Sequence, residues 1–220
     1  MTFKLQAVCF DLDGTLVDSM DMHMTTLCQM LKNELGMDRD PEEMKIYTGI
    51  PTRDILAEIV PADQVDHFAA LWLEYELPVR PELKLFPGIS ERLANLKNAG
   101  LRLGVVTSQN RTELALFRKQ LGLEDCMDIW ISSDDTAHPK PAADPVLAAA
   151  GQFDCPPQEI VMIGDTIFDL QAGKAAGARA GAAFWGFARE KEMLAEQPDF
   201  VFRTVQDLDQ LISQARNPAS

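Results

Sequence analysis

Two acidic residues set two apart, Asp11 and Asp13, close the first short apolar run of the chain, Ala7 to Phe10, within Asp11-Leu12-Asp13-Gly14-Thr15. In an extended strand, residues i and i+2 point the same way, so both carboxylates face one point while Leu12 turns towards the core. Carboxylates brought together in this way can hold a hard cation or move protons. Gly14 allows a backbone turn that a β-carbon would obstruct, and the chain can leave the sheet at the carboxyl edge, where open α/β folds place their ligands. Asp and Gly are also ordinary turn residues, so this pentad does not stand as a site by itself.

Three later features lie at or beyond the ends of further apolar runs. Thr107 and Ser108 follow the run Leu103 to Val106 and offer hydroxyls and backbone N–H groups suited to phosphate oxygens. Lys140 stands in His138-Pro139-Lys140-Pro141, where the flanking prolines stiffen the loop that carries its ammonium. Gly164-Asp165-Thr166-Ile167-Phe168-Asp169 follows the run Ile160 to Ile163, and its two acids share a face if a helix starts there. Each has an ordinary competing reading: a loop hydroxyl pair, a solvated lysine, and acids that complement a helix dipole.

The elements that must position these residues are legible as short β-branched runs alternating with helix-period sequence. The runs are Ala7 to Phe10, Leu103 to Val106, Ile129 to Ile131, Ile160 to Ile163 and, more weakly, Ala178 to Phe184 and Phe200 to Phe202. Such alternation predicts a Rossmann-like parallel sheet with helices on both faces. Helices are expected at Ile89 to Ala99 and Thr112 to Leu121, ended by Gly100 and Gly122. From Val17 to about Pro81 no strand run appears; helices are expected at Ser19 to Leu35, Pro41 to Tyr47, Thr52 to Ile59 and Ala62 to Leu77, punctuated by Gly36, Gly49-Ile50-Pro51 and Pro61. The expected organisation is an α/β core from residues 1–16 and 82–220 with an inserted helical domain at 17–81. Met20, Met22, Met24 and Met30 on the first inserted helix read as core packing, and Arg216 to Ser220 as a frayed tail.

Composition narrows the partners. Among 220 residues, 34 Asp and Glu oppose 20 Lys and Arg, for a net charge of −14, a field that repels nucleic-acid backbones and anionic membrane surfaces. The same field opposes a phosphorylated substrate, so a phosphate site here needs its own local cations. Four scattered cysteines form no pair of metal-ligand spacing, and no run of 18 apolar residues or signal-peptide pattern occurs, so free thiols and a cytoplasmic protein are expected.

Taken in order, Asp11 to Thr15, Thr107-Ser108, Lys140 and Gly164 to Asp169 resemble the signature of the haloacid dehalogenase-like superfamily: D-x-D-x-[TV], Ser/Thr, Lys, G-D-x-x-x-D. Within it the chain is most similar to the phosphoglycolate phosphatase and β-phosphoglucomutase branch, on Asp18-Ser19, His23, Phe86-Pro87-Gly88, Lys140-Pro141 and Trp185-Gly186. The resemblance implies an α/β core with a helical cap and a Mg²⁺-dependent phosphatase for a small phosphorylated metabolite. It further implies Asp11 as nucleophile and Asp13 as acid and then base. Asp11, the Asp13 backbone carbonyl and Asp165 would hold Mg²⁺, with Asp169 acting directly or through water. Lys140 would neutralise charge, and Thr107 and Ser108 would bind the phosphoryl group. His23 and Arg53 are candidates for substrate contact, each with a solvated surface residue as its rival reading. A phosphomutase, a pyrophosphatase, a receiver-like module and a phospho-ligand-binding relative remain as alternatives; the oligomeric state is left open. Phe168-Asp169 in place of adjacent acids favours hydrolysis over mutase transfer.

Overall fold

The computed structural model describes residues 4–48 and 50–216, with the side chain of Arg216 left aside; Gly49 and the tail beyond Arg216 lie outside these. The chain divides into two compact units, residues 1–17 with 85–220, and residues 18–84. In chain order the elements are β1 (Ala7–Phe10), α1 (Met20–Leu35), α2 (Pro41–Met44), α3 (Thr52–Ala57), α4 (Val65–Glu76), α5 (Ile89–Asn98), β2 (Arg102–Val106), α6 (Arg111–Leu121), β3 (Ile129–Ile131), α7 (Asp144–Phe153), β4 (Ile160–Gly164), α8 (Ile167–Ala175), β5 (Arg179–Ala183), α9 (Glu190–Ala195), β6 (Phe200–Phe202) and α10 (Gln210–Arg216).

The larger unit is built on a six-stranded sheet in the order β3-β2-β1-β4-β5-β6, every pairing parallel. Parallel strands need crossovers, and these bring helices onto both faces, so β1 reads Ala-Val-Cys-Phe with no exposed position. Ala7 and Cys9 point into one layer with Val146, Ala149 and Phe153 of α7 and Ala172 of α8. Val8 and Phe10 point the other way and are equally buried. The order places β1 between β2 and β4, the point where the winding reverses and where open α/β sheets receive ligands beyond their carboxyl ends. Gly122 caps α6 in the left-handed conformation, while Gly100, also left-handed, follows Ala99 at the end of α5.

Helix α7, Asp-Pro-Val-Leu-Ala-Ala-Ala-Gly-Gln-Phe, is not among the expected helices because Pro145 and Gly151, residue types that punctuate the chain elsewhere, lie inside it; Pro145 stands in its first turn, and Val146, Ala149 and Phe153 form its buried face. Helices α9 and α10, of six and seven residues, are too short to show a helical period. In the smaller unit, the stretch expected as Pro41 to Tyr47 is a single turn, α2, continued by a 3₁₀ turn at Lys45–Tyr47, and α4 is likewise preceded by a 3₁₀ turn at Ala62–Gln64. Met20, Met24 and Met30 are buried on α1, as core packing requires. All four cysteines are free. No helix among the described residues is long and apolar enough to cross a membrane.

Candidate active site

Three adjacent strands bring the chemistry to one sheet edge. Asp11 follows β1 and its N–H still donates to the Ile163 carbonyl of β4 at 2.8 Å, so its side chain is aimed by the sheet ladder. Thr107 follows β2, tied by its N–H to Ile131 at 3.0 Å, and Asp165 follows β4. Beyond Asp11 the backbone folds into a tight turn: Leu16 and Val17 both donate to the Leu12 carbonyl, and Gly14 donates to Val17. Gly14 has φ +75°, and a β-carbon there would overlap the Asp165 carboxylate, so both conformation and close approach demand glycine. The turn is held from outside by Trp185, whose Nε1 donates to the Thr15 carbonyl at 2.9 Å.

Asp11, Asp165 and Asp169 each offer a carboxylate oxygen within 4.8 Å of the others, and all three are buried. Into this acidic cluster reaches Lys140. An ammonium has three N–H donors, and here each finds an acceptor: Asp11 Oδ1 at 2.8 Å, Asp169 Oδ1 at 2.6 Å and the Val106 carbonyl at 3.1 Å. Asp169 has both oxygens engaged. Its second oxygen accepts from the Thr166 N–H at 3.1 Å and the Thr166 hydroxyl at 2.6 Å, closing a capping box at the start of α8. Gly164 leaves room for that carboxylate, which a β-carbon would overlap. Asp165 is different: Oδ1 accepts from the Thr15 hydroxyl at 3.0 Å, while Oδ2 is buried with no hydrogen-bond partner.

Three carboxylates against one ammonium leave a surplus of negative charge out of water. Burial, only partly offset by Lys140 and reinforced by the charges of Asp169 and Asp13, pushes Asp11 up from 3.8 to about 7. Burial and then the charges of Asp11 and Asp169 hold Asp165 well above the usual carboxylate range. Lys140 is held above its ordinary value: burial opposes its charge, and the two carboxylates overcome that opposition. An all-oxygen donor set, an excess of carboxylate and an orphaned buried oxygen fit a divalent hard cation such as Mg²⁺, and they fit none of the soft metals.

The structure thus brings Asp11, Lys140, Asp165 and Asp169 into one contact group and places Asp13 and Thr107 beside it. Asp13 is half-buried and accepts from Gln109 Nε2 at 2.6 Å; Thr107 is buried and its hydroxyl accepts from the Gln109 N–H at 3.1 Å; Ser108 between them is half-buried. The other two candidates belong to the helical unit. His23 on α1 meets Glu76 of α4 at 2.5 Å through Nδ1, and Glu76 in turn pairs with Arg80 at 2.6 Å. Arg53 is largely exposed and pairs with Asp66 at 2.7 Å. Sequence reasoning missed the supporting residues Gln109, Glu76 and Arg80, and gave Thr15 and Thr166, which stand within its motifs, no role of their own. Thr166, three residues before Asp169, carried a capping signature, whereas Glu76 lies 53 positions from His23 with no local mark.

The chain matches the haloacid dehalogenase-like hydrolase family over residues 8–183. It is 29% identical over 206 residues to the pyrophosphatase PpaX of Bacillus velezensis, covering 93% of this chain and 95% of that protein. Among solved structures it is similar to a putative phosphoglycolate phosphatase from Lactobacillus plantarum, with a TM-score of 0.87 and 30% identity across 95% of this chain and all of the other. CbbY from Rhodobacter sphaeroides in complex with phosphate is 26% identical with a TM-score of 0.76, across 93% and 99% of the two chains. The chain belongs to the haloacid dehalogenase-like hydrolases, in their phosphoglycolate phosphatase-like branch, and is a phosphatase of that family.

Proposed function

We propose that this enzyme hydrolyses a small phosphate monoester, of the phosphoglycolate or sugar-phosphate kind, through a phosphorylated Asp11. The observation that carries the reading is the buried group of Asp11, Asp165 and Asp169 with Lys140 inside it and one Asp165 oxygen left without a partner. Asp11 attacks phosphorus in line, forming a P–O bond as the bond to the leaving oxygen breaks. Asp13 gives that oxygen a proton and later takes one from the water that splits the aspartyl phosphate. Lys140 faces the nucleophilic carboxylate at 2.8 Å and offsets the repulsion between two anions, which at ~4 Å amounts to about 1 kcal/mol in water and several-fold more in a drier site. Thr107 and Ser108 hydrogen-bond the phosphoryl oxygens.

Asp11, Asp165 and the Asp13 backbone carbonyl would hold Mg²⁺, and the bound ion supplies Lewis-acid neutralisation of the phosphoryl oxygens. Asp169, its oxygens already committed to Lys140 and Thr166, acts by fixing the ammonium and at most through water on the metal. His23 and Arg53 are assigned to the part of the substrate beyond the phosphoryl group. The net charge of −14 disfavours a nucleic-acid partner, and the free thiols fit a cytoplasmic enzyme.

A second substrate class, inorganic pyrophosphate, is favoured by the name of the Bacillus velezensis relative. The same residues serve an anhydride, whose better leaving group asks less of Asp13. A screen with Mg²⁺ over phosphoglycolate, sugar phosphates and pyrophosphate separates them: phosphate release with one preferred class is expected. Phosphoryl return to a new sugar position, with little free phosphate, would replace hydrolysis by mutase transfer.

A further inference from the structure

Gln109 touches Asp13 and is not among the residues that the motifs mark. It lies directly after Thr107 and Ser108 and is only 8% exposed. Its backbone is fixed at both groups: the N–H donates to the Thr107 hydroxyl at 3.1 Å, and the carbonyl accepts from the Ser133 N–H at 2.9 Å and the Ser133 hydroxyl at 3.2 Å. The side chain reaches back to Asp13, with Nε2 donating to Oδ2 at 2.6 Å. This orientation is the one an ionised Asp13 selects, because the reverse would set two acceptor oxygens against each other. The other end of the same amide, Oε1, is buried and has no hydrogen-bond partner. A buried amide oxygen left unpaired beside a carboxylate is costly in a folded protein and becomes satisfied when a donor arrives.

We infer that Gln109 positions the hydrolytic water, its Nε2 orienting Asp13 and its Oε1 accepting the hydrogen of the water that Asp13 does not take. The inference rests on the reading of Asp11 as nucleophile and Asp13 as base. In the second half-reaction the water oxygen bonds to phosphorus, the bond from phosphorus to Asp11 breaks, and its electron pair returns to the Asp11 carboxylate. One water proton passes to Asp13, and the other remains on the new phosphate oxygen. A water attacking along one line needs both its hydrogens directed, and the Gln109 amide and the Asp13 carboxylate form a donor–acceptor pair that does so. The first half-reaction, in which no water takes part, has no use for Oε1. Gln109 therefore favours water as acceptor over an alcohol.

The test separates the two half-reactions with p-nitrophenyl phosphate, whose leaving group needs little protonation. Gln109→Met keeps the length of the side chain and removes both polar atoms; Gln109→Ala, which only deletes atoms, carries the same expectation should the first variant fail to fold. Stopped-flow mixing with Mg²⁺ is expected to show a burst of about one nitrophenol per enzyme, then a steady state slowed by about tenfold to a hundredfold. Phospho-Asp11 accumulates, and added glycerol takes a larger share of the phosphoryl group than in wild type. The burst rate itself stays within about threefold of wild type. Equal slowing of both phases would show that Gln109 merely supports the fold of the site, and an unchanged steady state would show that it does nothing; either overturns the inference while leaving Asp11 as nucleophile intact. Failure to trap phospho-Asp11 in the wild-type enzyme and the variant alike would overturn the covalent reading, and this inference with it.

Discussion

Two clusters of buried charge, one in each unit of the chain, are made of similar groups and behave in opposite ways. In the helical unit, Glu76 lies between His23 and Arg80, with one carboxylate oxygen bonded to each. Burial alone would raise Glu76, but His23 and Arg80 outweigh it and its carboxyl sits below the ordinary value of 4.5. In the α/β unit, Asp11, Asp165 and Asp169 share one lysine, and burial wins: Asp11 rises to about 7 and Asp165 well above its usual range. The first cluster is balanced, so that removing one partner would leave a buried charge uncompensated. The second is short of positive charge, and that deficit is the feature on which the proposed cation and phosphoryl site rests.

The largest effect is expected at Asp11. Asp11→Asn keeps the shape of the side chain but removes the proposed nucleophile, and turnover should fall by at least about 10⁴-fold. Thermal unfolding of the metal-free variant at pH 8 should occur no lower than in wild type, since a repelling buried charge has gone. Glu76→Gln should do the reverse to stability. Arg80 loses a buried carboxylate partner, and urea unfolding should show a loss of about 3–5 kcal/mol.

Stability against pH sharpens the contrast through its sign. Asp11 in the folded, metal-free protein holds its proton up to about pH 7, against 3.8 when unexposed to these forces, so its contribution to stability falls as pH rises from about 4 to 7. Glu76, depressed, contributes stability that is present above 4.5 and lost as pH falls through its lowered folded value. The proposed Mg²⁺ would take the place of the Asp11 proton, so the rise in melting temperature on adding it should be larger at pH 8 than at pH 5. An equal rise at both would contradict the charge-deficit account. The smallest effect is expected at Arg53: its exposed pair with Asp66 should make Arg53→Ala cost under about 1 kcal/mol of stability, while KM rises for substrates carrying a second anionic group.

How much of this was legible in the sequence follows the range of the forces involved. β1, β3 and β6 stand where their apolar runs stand: β1, central and buried on both faces, needs a continuous apolar run, while the edge strands β3 and β6 leave Trp130, Phe200 and Val201 half-buried. Asp11, Lys140, Asp165 and Asp169 converge because each follows a strand or a stiff loop at the same sheet edge. Helix α7 stayed hidden because Pro145 and Gly151, residue types that punctuate helices, lie inside its ten residues. Glu76 and Gln109 stayed hidden for another reason: each acts through a partner 53 or 96 residues away, and no local pattern encodes such a pairing.

The most direct measurement is to mix enzyme with Mg²⁺ and an activated phosphate ester, quench in acid within one turnover, digest, and locate the phosphoryl group by mass spectrometry. The expected result is a phosphorylated peptide containing Asp11, labile to hydroxylamine and absent from Asp11→Asn. Full single-turnover release of phosphate with no modification at Asp11, at any quench time, would contradict it.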